Sequence, residues 1–243
     1  MPAREAHLSL GDTLAEAFSL YRRHWKLLAP LAVVVLLPQA LLGAVLGDIE
    51  VDRIETVGDV VNLLTIPLFT VVALGGEALL AGAMTALVRE WRVGQRPPAA
   101  VEFLRSLPWV NLIAVDLLLA VGTAVGLVLL VIPGLVFVTY FGISPAVIEL
   151  EGRGVRGALR RSASLVRHNF GRVFLLIVGA GLITEAMAEG LNLVFHEVAP
   201  DLVAELAVDA LLESIQGLII ALTAISLIQL HGEEVPSART HRP

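Results

Sequence analysis

The stretch "LLLAVGTAVGLVLLVIPGLVFVTYFGISPAVI", residues 117–148, holds 32 consecutive residues without a formal charge. Two residues further on begins "EGRGVRGALRRSASLVRHNFGR", residues 151–172, which carries six of the chain's sixteen arginines. A helix that crosses the hydrocarbon core of a bilayer needs about 20 apolar residues. The uncharged run is therefore too long for one comfortable span. In its middle, "LVIPG" (130–134) puts proline and glycine where two helices can turn back on each other. A hairpin of two spans is expected, with a re-entrant pair of half-helices as the alternative. The arginines that follow then hold the returning span on one side of the membrane.

The rest of the composition agrees. Apolar residues make up 56% of the 243, charged residues 16%, and mean hydropathy is +0.81. Soluble domains average roughly 45–50% apolar and about 25% charged. There are no cysteines, which excludes disulfides, thiolate metal sites and cysteine nucleophiles.

Six spans can be read by hydropathy: about 27–46, 60–88, 110–131, 133–148, 173–195 and 208–230. The second is long and is interrupted at Gly75–Gly76, where a tilt or bend is expected. The first starts only at Leu27 and lacks a small-residue cleavage pattern, so a retained span is expected rather than a signal peptide. Residues 231–243 are expected to form a flexible tail. With six spans, sixteen of the seventeen Lys and Arg lie on one side and only Arg53 on the other. The other side carries acidic loops, "GDIEVDRIETVGD" (47–59) and "HEVAPDLVAE" (196–205). Positive residues stay cytoplasmic. Both termini are therefore expected in the cytoplasm, and the fold class is an all-α cell-membrane bundle of about six spans.

Two amphipathic helices are expected on the cytoplasmic side. In 153–172, Val155, Ala158, Leu159, Ser162, Leu165, Val166 and Phe170 recur at three- and four-residue steps, with Arg156, Arg160 and Arg167 on another face. That pattern suits the headgroup plane. Residues 1–26 repeat it: Ser9 and Asp12 have capping-box spacing, and Leu10, Leu14, Ala17, Phe18, Tyr21, Trp25 and Leu28 form an apolar stripe that runs into the first span. "LAEAFSLYRRHW" (14–25) aligns with "LRRSASLVRHNF" (159–170) at a constant offset, a weak internal repeat. The candidate contacts to anionic lipid headgroups are Arg156, Arg160, Arg161, Arg167 and Arg172, with Arg22, Arg23 and Lys26 on the first helix. The bilayer itself is the expected partner, a protein partner is not identified, and nucleic acid is not expected, because the aromatic interleaving of nucleic-acid binders is missing.

Residues 132–172 carry "IPG" opening a span, "SPAVIELEGRG" at its end, and then an "ALRRSASLV" step into the next span. With "GDTLAEAFSLYRRHWKLL" (11–28), this resembles the membrane domain of glycerophosphoryl diester phosphodiesterases. It is also similar to small multi-span bacterial and archaeal proteins that resemble that domain alone. In the full-length enzymes of that family catalysis belongs to a separate soluble barrel. No such segment is present in this sequence, so the resemblance implies a six-span module and carries over no catalytic residue.

The unusual residues are acids inside spans: Glu77, Asp116, Glu185, Glu189 and Glu213, with Gln216 and Asn192 near them. No Lys, Arg or His lies within any of the six spans. A charge at mid-bilayer costs about 2.5–3.5 kcal/mol on insertion scales. These acids are therefore expected either to sit near the interfaces as structural hydrogen-bond formers or to face a common interior. Glu185 and Glu189 are one turn apart, and Glu213 lies at a matching depth on the next span, so the three are expected to line one space. No catalytic set, metal site or cofactor motif accompanies them; the histidines at 7, 24, 168, 196, 231 and 241 have no ligand spacing. The expected function is non-enzymatic, an organising or accessory role at the cytoplasmic leaflet. Two other readings compete with it: a transporter or channel using the intramembrane carboxylates, and a membrane subunit of a lipid-active enzyme.

Overall fold

A computed structural model describes residues 9–46, 76, 79–92, 94, 103, 105–195 and 201–232. Among these residues there is no strand; the chain is a helical bundle. Residues 60–75 and Glu77 of the expected second span, both acidic loops apart from 201–205, and the tail from 233 onward lie outside the described residues.

Helix α1 (Leu10–Leu46) starts where the capping pattern places it, with the Asp12 amide donating to Ser9 Oγ at 3.3 Å. It runs for 37 residues, about 55 Å at 1.5 Å per residue. The boundary expected between an amphipathic helix ending at 26 and a span starting at 27 is not a break. Nothing in "RRHWKLL" interrupts a helix, and Pro30 and Pro38 are carried inside it. Each proline removes one backbone bond, a defect that neighbouring helices in a membrane bundle can absorb. Beside α1 lies α2 (79–92). Its residues 80–89 are all buried, so it has no polar face and needs neighbours all round.

Helices α3 (Trp109–Leu129) and α4 (Val131–Phe141) form an antiparallel pair joined by a single extended residue, Leu130 (φ −165°, ψ 139°). The turn falls before the expected Pro133–Gly134, and the reason is physical. Pro133 sits in the first turn of α4, where a missing N–H costs nothing. Gly134 serves contact rather than turning: a Cβ on Gly126 would lie 2.7 Å from Gly134 Cα. After a break at Gly142–Ile143 comes the short, nearly wholly buried α5 (Ser144–Glu151), closed by Gly152 in the left-handed conformation (φ 63°).

Helix α6 (Val155–Val166) buries Ala158, Ser162, Leu165 and Val166 and exposes Arg156 and Arg160. Its apolar face lies on the protein, and Ser162 Oγ donates to the Tyr140 carbonyl at 2.6 Å. The single helix expected over 153–172 is divided. A turn at 167–169 ends α6, and Asn169, whose carbonyl accepts the Val173 amide at 3.0 Å, opens the next helix. That helix consists of α7 (Phe170–Phe174), a π-helical turn (Leu175–Gly179) and α8 (Ala180–Phe195). Helix α9 (Asp201–Leu230) follows and packs along α1. Within the weak repeat, Ala17 and its equivalent Ser162 are both buried.

Three helical stretches are long and apolar enough to cross a membrane: Val131–Glu151, Phe170–Leu191 and Leu206–Leu230. The outer surface suits lipid. Val110, Ile113, Leu117, Val121 and Val125 form an exposed face on α3, and Leu182, Ile183 and Met187 are exposed on α8. Soluble proteins rarely leave apolar faces of this extent open to water.

One end of the bundle gathers the basic segments. Arg92 pairs with Glu16 of α1 at 3.1 Å. The buried Arg89 donates from Nη1 to the Glu149 carbonyl at 2.9 Å. The rings of His168 and His231 lie 6.4 Å apart. The start of α1 and the ends of α2, α5, α6 and α9 therefore meet.

The α3–α4 hairpin is tested at its contact point. Alanine in place of glycine within a helix gains about 1 kcal/mol, whereas overpacking costs about 1–3 kcal/mol. At Gly126 the obstruction is backbone, so the second effect wins and Gly126→Ala lowers the thermal unfolding midpoint in detergent. At Gly190 nothing lies within 4 Å of an added Cβ, so Gly190→Ala leaves the midpoint unchanged or raises it.

Candidate functional site

Helical periodicity assembles the site. On α3, Asp116, Ala120 and Thr123 fall on one face; on α9, Glu213, Gln216, Gly217 and Ile220 do. Gly181 and Glu185 of α8 lie one turn apart, and Val138 of α4 and Gly142 just after it do likewise. These faces enclose a cavity of about 310 Å³. Among the described residues its wall carries three carboxyl side chains (Asp116, Glu185 and Glu213), the Gln216 amide, two threonine hydroxyls and no Lys, Arg or His. Asp116 is buried, 4% exposed. Glu213 and Gln216 are half-buried, while Glu185 and its wall neighbour Leu182 are exposed and mark where the cavity opens. Asp116 and Glu213 each have an interaction within the protein.

Two backbone irregularities border this space. The π-helical turn Leu175–Gly179 contributes Ile177 and Val178, and the α4–α5 break contributes Gly142 and Pro145. They touch each other: a Cβ on Gly142 would lie 3.3 Å from Ile177 Cδ1. A π-turn displaces carbonyls from their usual partners, and such turns recur at functional sites. Here Gln216 Nε2 donates to the Ile177 carbonyl at 3.0 Å. The Oε1 of the same amide is buried and accepts no hydrogen bond among the described residues.

Four of the residues singled out in the sequence thus meet: Asp116, Glu185, Glu213 and Gln216. Glu189 does not join them. It is exposed one turn beyond Glu185 and is no part of the wall. Glu77 and the side chain of Asn192 lie outside the described residues. Among the described residues no three His, Cys, Asp or Glu side chains converge closely enough to hold a metal ion. Of the basic candidates, Arg156, Arg160, Arg167, Arg172, Arg22, Arg23 and Lys26 are exposed. Arg161 differs. Its Nε donates to Glu151 Oε1 at 2.9 Å, and Glu151 also binds Arg153. Arg161 is therefore partly buried and paired, unlike the other basic candidates.

Sequence reasoning missed Thr123 and Thr184, which line the cavity, and the burial of Arg89 and Glu149. The threonines are hidden in apolar runs. Arg89 counted only as a charge on one side of the membrane.

The family model of a domain of unknown function, DUF7847, matches residues 8–230. The chain belongs to that family. No curated protein and no solved structure matches it. The DUF7847 match contains every described helix and every described residue of the cavity wall, so the site is part of the family domain and not an appendage to it.

Hydrogen bonds between membrane helices contribute about 0.6 kcal/mol on average and up to about 1.7 kcal/mol. Losing the Gln216–Ile177 bond is too small a change to unfold the bundle. Gln216→Leu is therefore expected to speed amide hydrogen exchange locally in 175–181, with little change in the unfolding midpoint. Unchanged exchange there would mean that the π-turn stands without Gln216.

Proposed function

We propose that this chain is a six-span cell-membrane protein with both termini in the cytoplasm, and that its cavity takes up protons or small organic cations from within the bilayer. The observation that carries the ligand reading is the meeting of Asp116, Glu185 and Glu213 from three helices at one apolar-walled space. Carboxyl side chains within membrane helices mark pathways for ions and protons. Three of them favour a cationic occupant or the shuttling of protons. The Gln216 Oε1 adds an acceptor for an N–H or O–H donor. The opening beside Glu185 and Leu182 offers a lateral entry. This arrangement favours the transport-type reading over a purely accessory one. The topology is supported by the segregation of Lys and Arg along the sequence and by the gathering of the basic segments at one end.

Proteoliposomes provide the test of the cavity. Flux of protons or tetraethylammonium above that of empty liposomes is expected. It should fall about tenfold, equivalent to about 1.4 kcal/mol, in Asp116→Asn and in Glu213→Gln. Glu189→Gln, outside the wall, should behave as wild type. Equal flux in all three variants, or none above empty liposomes, refutes the reading.

Topology is tested separately with reporter fusions. Those after Asp59 and Glu205 are expected outside, and those after Arg96, Arg160 and Pro243 inside. A cytoplasmic signal from either of the first two removes the six-span arrangement.

A further inference from the structure

The basic segment divides its charges into two groups. Arg153 and Arg161 close on Glu151, Arg92 pairs with Glu16, and Arg89 is buried against the Glu149 carbonyl. By contrast, Arg156, Arg160, Arg167 and Arg172 are exposed and make no ion pair among the described residues. On α1 the same is true of Arg22, Arg23 and Lys26. His24 adds no charge to this group at neutral pH. Burial against Trp91, and then the neighbouring Arg23, lower its proton affinity below the ordinary histidine range.

These uncompensated cations sit at a boundary. Leu175, three residues after Arg172, is exposed and begins the apolar outer face of its helix. On α1, Trp25 and Phe18 are exposed beside Arg22 and Lys26. An exposed aromatic next to cations and followed by apolar surface is the pattern of the headgroup layer. The apolar face of α6 is spent on the protein core, so the helix does not bind by inserting that face into lipid. It presents arginines alone, held in place by the Ser162–Tyr140 bond and the Glu151 clasp. Guanidinium groups bind phosphate oxygens in a planar, two-pronged geometry.

We propose that this end of the bundle is a docking surface for anionic phospholipid headgroups, formed by Arg156, Arg160, Arg167 and Arg172 with Arg22, Arg23 and Lys26. The surface is separate from the cavity, and its test does not depend on any flux.

The full chain is purified and placed in nanodiscs of neutral phosphatidylcholine with or without phosphatidylglycerol. Each arginine near an anionic surface strengthens association about fivefold at physiological salt. Four together, reduced by screening, are expected to give at least about a tenfold preference for phosphatidylglycerol in the lipid retained on the protein, read by native mass spectrometry. The preference should fade in high salt. The variant R156Q/R160Q/R167Q/R172Q should lose it while eluting as a folded monodisperse species, because all four side chains are exposed. Arg161→Gln is expected to lower the unfolding midpoint yet keep the preference. Equal retention of both lipids by the wild-type chain overturns the proposal, as does full retention of the preference by the quadruple variant. In detergent without anionic lipid, a short oligonucleotide or inorganic phosphate should not stabilise the protein. Stabilisation by either to the extent that phosphatidylglycerol gives would assign the surface to another anion and overturn the lipid reading.

Discussion

Residues 80–89 of α2 are buried on every side, and the rest of the bundle is arranged to make that possible. Between helices in lipid there is no hydrophobic drive to association, so close van der Waals contact must supply it. Small residues permit the contact. Ala81, Gly82, Ala83 and Ala86 let the backbones of neighbours approach. A Cβ on Gly82 would meet Leu112 at 2.8 Å, and one on Gly217 would meet Met84 at 3.0 Å. These two contacts also set the site. Asp116 is one turn from Leu112, and Glu213 and Gln216 lie within a turn of Gly217. Seating α3 and α9 on the central helix is what brings their acids to one space.

Around that space the backbone is irregular in two places, at the α4–α5 break and at the π-turn. Irregular backbone within a membrane is tolerated only where protein or a cavity covers it. Both irregularities meet that condition, since they face the cavity and touch each other through Gly142 and Ile177. The Gln216 amide adds a donor to the Ile177 carbonyl within the π-turn. The cavity and the helix defects are thus one feature: the wall is built from segments that a fully regular bundle would not contain.

Arginine has opposite roles at the basic end. Arg89 is drawn inward as a bridge between the central helix and α5, and Arg161 is clasped by Glu151. Arg156 and Arg160, one turn apart on the outer face of α6, are left to the surroundings. Sequence position alone does not separate Arg160 from Arg161. The helical rotation of about 100° between them does, because it turns one toward α5 and the other away.

Much of the architecture was legible from the amino-acid sequence, because a bilayer is a one-dimensional constraint. Run length, the absence of charge from residues 117–148 and the apolar periodicity of 155–166 are local properties, and they declare apolar helices before any contact is known. The Ser9 cap, the matching depth of Glu189 and Glu213, and the shared face of Glu185 and Glu189 were accessible in the same way. The sequence did not declare that α1 runs on through residue 26, since continuity depends on neighbours that support its prolines. Nor did it decide that the hairpin turns at Leu130, which follows from the contact between Gly126 and Gly134. It offered Glu189 as a partner for Glu185 because both lie on one side of α8. Only the packing of the helices on one another brought Glu185 to the cavity wall, drew in Asp116 from a third helix and left Glu189 outside. Hydropathy fixes which segments leave water. Which side chains then face one another depends on how the helices rotate and approach, and that is settled by small-residue contacts far apart in the chain.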